Sequence, residues 1–176
     1  MTAKEDEIAY NKETYAIVGE LVLLASAVDS LLNELIIVTL ELGASPMITP
    51  IVATLDPKRK IEILKGRSAH IRQPDWKRGL TGLLNKAESV FKYRNIACHT
   101  PPILENGRWA LKPIDAAKLL KRLDIQRATV TRFSISELQT AISTAEAALA
   151  SGSNVVENFE RVNAEKRKKV AAQAET

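Results

Sequence analysis

Ile17, Leu21, Leu24, Val28, Leu31, Leu32, Leu35 and Val38 recur at three- and four-residue steps, and this apolar stripe limits what the chain can become more than any other feature. The spacing predicts a helix from Ile8 to Leu42. Val18, Leu23, Ile36 and Ile37 widen the stripe beyond one face, so the helix must be covered from two sides, with part of that cover expected from a second subunit. Gly43 is placed as its left-handed stop, and Pro46 and Pro50 block continuation. Glu20, Asp29, Asn33 and Glu34 interrupt the run and make it too charged to cross a bilayer comfortably. The opening MTAKEDEIAY is acidic and lacks the apolar centre of a secretory signal. The expectation is a soluble intracellular protein, cytoplasmic and without a membrane partner.

Further helical signals follow. Residues 47–71 read as helix broken near Asp56-Pro57, with Asp56 as N-cap and Pro57 at the first helical position, where its missing N–H is harmless. Gln73-Pro74-Asp75 is a turn, with Asp75 expected to cap a helix over 76–99 that carries Leu80, Leu83, Leu84, Ala87, Val90, Phe91 and Ile96. Pro101-Pro102 ends it. Asn106-Gly107, flanked by Ile103-Leu104 and Trp109-Leu111, predicts a small β-hairpin within 103–113. Asp115 is read as the cap of a short helix through Leu123, and Ser134 with Glu137 as a capping box opening a helix that breaks near Gly152.

With only 7 Gly and 7 Pro and 5% aromatic residues, the composition agrees: an all-α helical bundle with a long first helix and one small β-hairpin after the third long helix. The length of 176 residues suits one core. Residues 1–7 read as a flexible N-terminus, 8–152 as the helical domain, and 153–176 as a C-terminal helix with a basic, frayed tail at Lys166-Arg167-Lys168-Lys169. Cys98 is the single cysteine, so no internal disulfide forms, and two histidines leave a zinc site short of ligands. No metal or cofactor is expected.

The net charge of +4 is unevenly placed. Acids dominate residues 1–41, while residues 58–94 hold a run of bases that includes Lys58, Arg59, Lys60, Lys92 and Arg94. Two readings fit this asymmetry: an anionic partner such as RNA, contacted by those five residues, or two segments lying side by side and neutralising one another.

At the end of the third long helix stands FKYRNIACHTPPI. Asn95 and His99 are four apart and share a helix face, with Arg94 beside them. This R-N-x-x-x-H spacing resembles the motif of the HEPN superfamily of all-helical domains. The opening helix YAIVGELVLLASAVDSLLNEL, the hairpin ILENGRWALKP and the closing helix SISELQTAISTAEAAL are similar to the same layout, over residues 8–150. The resemblance implies a homodimer whose two motifs face one another and a metal-independent endoribonuclease, with RNA and an antitoxin-like protein as the partners to expect of a toxin–antitoxin system. It assigns Arg94 to the scissile phosphate, His99 to general base or general acid catalysis, and Asn95 to orienting one of them. Cys98 and Thr100 stand where members often carry a small residue and glycine.

The alternative is a non-catalytic helical dimer: a scaffold, an antitoxin-like partner or a nucleic-acid-binding module. There Arg94 and Asn95 bond helix carbonyls or pair with Glu20 or Asp29, and His99 complements a helix dipole. A phosphotransfer histidine, His70 or His99, is weaker, because Pro-Pro follows His99 so closely. His70 reads as surface decoration, Cys98 as a small packing residue, and Trp76 and Trp109 as anchors at the core's edge.

Overall fold

The computed structural model describes residues 3–43, 46–100, 102–105, 108–111 and 133–174. Four long or medium helices make the body: α1 (Ala3–Thr39), α3 (Pro57–Ala69), α4 (Pro74–His99) and α5 (Ile135–Ala174), with the short α2 (Ile48–Ala53) between the first two. The all-α bundle expected from the stripe is what the chain forms.

α1 is its centre. Leu21, Val28, Leu32 and Leu35 are fully buried, and Ile17, Ala25, Leu31 and Ile36 join them in a core completed by Leu64 of α3, Leu80, Leu84 and Val90 of α4, and Leu138, Ala145 and Ala148 of α5. Burial of each large aliphatic side chain contributes about 1.5–3 kcal/mol before chain entropy is counted. Despite the acids that interrupt it, Lys12–Thr39 is long and apolar enough by length and composition to cross a membrane, which corrects the reading that it is too charged; the other helices pack against it. Tyr15 and Leu23 remain exposed on its outer side.

Helix directions follow from a few pairs. Lys60 meets Asp29 and Arg67 meets Thr39, so α3 runs parallel to α1. Gly152 touches Leu31 and Asn163 reaches Val38, so α5 is parallel to α1 as well. Lys65 meets Glu88, and Trp76 packs edge-on against Phe159 at 5.5 Å, so α4 opposes both α3 and α5. Trp76 is half-buried, the core-edge anchor the sequence suggested.

Several ends are closed as read, and others are not. Asp56 caps α3 by accepting from the Arg59 N–H at 3.1 Å, with Pro57 at N1. At the start of α5, Ser134 Oγ accepts from the Glu137 N–H at 3.3 Å while the Glu137 carboxylate accepts from the Ser134 N–H at 2.7 Å, the reciprocal capping box. For α4 the cap is Gln73, whose side chain accepts from the Trp76 N–H at 2.8 Å, and Pro74 and Asp75 are already inside the helix. For α1 the left-handed residue is Glu41 (φ 53°), two positions before Gly43. Glu41 N–H donates to Val38 O and Leu42 N–H to Ile37 O, the paired bonds of a Schellman ending. The Thr39 carbonyl is met by Arg67 Nε at 2.8 Å, Asn163 Nδ2 adds a second bond to Val38 O at 2.7 Å, and Lys166 pairs with Glu41.

Between α4 and α5 lies a three-stranded antiparallel sheet, β1 (Pro102–Glu105), β2 (Arg108–Leu111) and β3 (Phe133–Ser134), in that order. Ile103 pairs with Ala110 and Glu105 with Arg108, which is the expected hairpin, and β3 adds a third strand through Leu111 and Phe133. The Asn106-Gly107 turn and the helix proposed from Asp115 to Leu123 lie outside the described residues.

α5 does not break at Gly152 but runs 40 residues without interruption. The glycine marks a close crossing instead: a Cβ there would stand 2.2 Å from Leu31 Cδ2 and 3.1 Å from Leu31 Cγ. Gly152→Ala should therefore destabilise by about 1–3 kcal/mol in urea denaturation, although alanine is the better helix former; equal or raised stability would show that α1 and α5 can separate there.

Lys60 is the largest fully buried side chain, and its ammonium donates to Asp29 Oδ2 at 2.7 Å. Asp29→Ala should cost about 3 kcal/mol, the lower end for a buried pair because the carboxylate is itself partly exposed. The double variant with Lys60→Met should recover most of that loss in the same denaturation assay.

Candidate functional site

α4 positions the motif. Its inner face, Leu80, Leu83, Leu84, Ala87, Val90, Phe91 and Ala97, is buried, which fixes the rotation of the whole helix. The outer face is then Glu88, Lys92, Asn95 and His99, spaced four, three and four, and all four are exposed. Arg94 lies to one side of this line, half-buried, with its guanidinium carbon 5.8 Å from the centre of the Phe91 ring. His99 occupies the last turn, and the extended, buried Thr100 directs the chain away from it into β1.

A cleft of about 390 Å³ opens beside this face, between the start of α3 and the second half of α4. Pro57, Ile61 and Phe91 are its apolar lining, and Lys58, Lys92, Arg94 and Asn95 bring polar groups to it. Asp56 and Glu88 also border it. Asp56 is held by the Arg59 N–H, and Glu88 accepts from the Lys65 ammonium at 2.6 Å. His99 is not part of the cleft wall; it stands one helical turn beyond Asn95, about 6 Å along the axis.

The residues named from sequence therefore separate into groups. Arg94, Asn95, Lys92 and Lys58 are brought together at the cleft, with His99 on the adjoining turn. Arg59 is exposed and pairs with Glu62 at 3.0 Å. Lys60 is withdrawn altogether: fully buried and bonded to Asp29, its ammonium cannot reach a strand lying on the surface. That pair is the one place among the described residues where the basic segment neutralises the acidic one, and it removes Asp29 as a partner for Arg94. Asp56, Pro57 and Phe91 were read from sequence as helix-building residues and Glu88 was not named; none of them was read as part of a site, although Glu88 and Phe91 continue the motif helix's own spacing. No known family, curated protein or solved structure matches the chain.

Around the motif, Lys92 Nζ lies 5.5 Å from the Tyr93 ring centre and 5.8 Å from that of Phe133, and the two rings meet edge-on at 5.7 Å. These contacts tie the motif end of α4 to β3. Among the described residues no group of three or more His, Cys, Asp and Glu side chains is arranged to hold a metal ion.

Cys98 is exposed rather than packed, on the same end of α4 as Asn95 and His99. A thiol-reactive chromophore should titrate one equivalent of Cys98 in the folded protein at a rate close to that of the unfolded chain; strong protection in dilute solution would mean that another surface covers this end.

Proposed function

We propose that the protein is a HEPN-like, homodimeric, metal-independent endoribonuclease with Arg94, Asn95 and His99 as its working residues. The observation that carries this reading is the exposure of Asn95 and His99 along one line of α4, with Arg94 beside them in a cleft that also holds Lys58 and Lys92. An RNA-binding surface needs cations that reach solvent, and Lys58 and Lys92 do. Tyr15 and Leu23 leave apolar surface for pairing.

The chemistry follows from these side chains. Neutral His99 takes the proton from a ribose 2′-hydroxyl, and the resulting oxygen attacks the adjacent phosphorus. The bond to the 5′-oxygen breaks, and that oxygen receives a proton from the imidazolium of the second protomer's motif. The products are a 2′,3′-cyclic phosphate and a free 5′-hydroxyl, so no external reactant is consumed. Arg94 offers a permanent charge and a forked donor to the phosphate as its negative charge grows. Asn95, four residues before His99, orients the imidazole or the phosphate oxygen.

Single-stranded and structured RNAs incubated with nuclease-free preparations in EDTA should be cut by the wild type. Cleavage should fall by a factor of about 10²–10⁴ in His99→Ala. A comparable fall is expected for Arg94→Ala. Nitroxide labels on Cys98, beside the motif, should report an intermolecular dipolar contact in the dimer. Equal rates in wild type and His99→Ala, with RNA still bound, would replace this reading by the non-catalytic nucleic-acid-binding or antitoxin-like module.

A further inference from the structure

The cleft between α3 and α4 offers more than a bare phosphodiester requires. Of its two carboxylates, Glu88 is neutralised by the Lys65 ammonium, and Asp56, which accepts from the Arg59 N–H, keeps a single negative charge against three cations. Lys58, Lys92 and Arg94 have no acidic partner among the described residues, so the charge left facing the cleft is positive. Its volume of about 390 Å³ far exceeds a lone phosphate and falls at the small end of sites for organic ligands. Pro57 and Ile61 give it an apolar floor, and the planar Arg94 guanidinium, its carbon 5.8 Å from the centre of the Phe91 ring, lines the same cleft.

We infer that this cleft is a nucleotide subsite: it takes one ribonucleotide, with its phosphate between Lys58 and Lys92 and its base over the apolar floor beside Arg94. The inference rests on the ribonuclease reading for one part only, the placing of that nucleotide next to the bond being cut. Asn95 lines the cleft and His99 follows one turn later, so a strand seated here continues directly past the imidazole. Lys58 is thereby a binding residue contributed from outside the motif helix, by the first turn of α3.

Calorimetric titration of the intact protein with the four ribonucleoside 5′-monophosphates, and separately with inorganic phosphate, tests the subsite. At least one nucleotide should bind measurably more tightly than phosphate, and Lys58→Glu should weaken it about tenfold or more, the loss of one charge-assisted contact. Lys77→Glu, an equal charge change elsewhere on the surface, should leave binding intact. Phosphate binding as tightly as every nucleotide, or Lys58→Glu binding as well as wild type, overturns the subsite. The two readings fail separately. RNA cleavage that depends on His99 but is indifferent to Lys58→Glu removes the subsite and keeps the nuclease. Nucleotide binding that depends on Lys58, in a protein that cuts no RNA, does the reverse.

Discussion

Covering a helix that is apolar on more than one side is the requirement from which the rest of this structure follows. No single neighbour can shield α1, and α3, α4 and α5 all pack against it. Two of them, α3 and α5, run parallel to it, so both deliver polar side chains to the same end. Arg67 and Asn163 accordingly donate to carbonyls of the last turn of α1, Thr39 and Val38. Parallel neighbours also oblige the chain to return between them. α2 lies on the path from α1 to α3, and α4 with the small sheet lies on the path from α3 to α5. Because α4 runs against the others, its C-terminal end is brought beside the N-terminal end of α3. The cleft stands at that junction.

Much of this was legible in the sequence because it rests on periodicity and local chemistry. The stripe from Ile17 to Val38, the Asp56-Pro57 start, the Ser134–Glu137 box and the hairpin around Asn106-Gly107 all depend on residues within a few positions of one another. The misplaced features depend on tertiary partners. Glu41 takes the left-handed position because the bonds to Val38 and Ile37 complete there and Lys166 of α5 receives its carboxylate. Gln73 replaces Asp75 as a cap for a local reason instead: α4 starts two residues earlier, at Pro74, and the Gln73 side chain reaches the Trp76 N–H. The strand Phe133–Ser134 is two residues long and carries no pattern of its own; it exists because β2 presents an edge to it.

The site shows the same division. That Asn95 and His99 share a face is arithmetic on one helix. Whether a neighbouring lysine faces solvent or the interior is decided by rotation of α3 against α1, and three consecutive bases illustrate it. Lys58 lines the cleft, Arg59 pairs with Glu62, and Lys60 is enclosed against Asp29. A count of basic residues treats all three alike, although only the first adds unpaired positive charge beside the motif.

The contact between Gly152 and Leu31 has a meaning for how this sequence can vary. Two residues separated by most of the chain share one small volume where α1 and α5 meet. Bulk gained at either position has to be given up at the other, so the two should drift as a matched set, glycine with leucine or a larger residue with a shorter one. Since the Asn163 bond to Val38 joins the same two helices further along, a widened gap there would loosen that anchor as well, and a residue with no side chain thereby sets the spacing of the two longest helices.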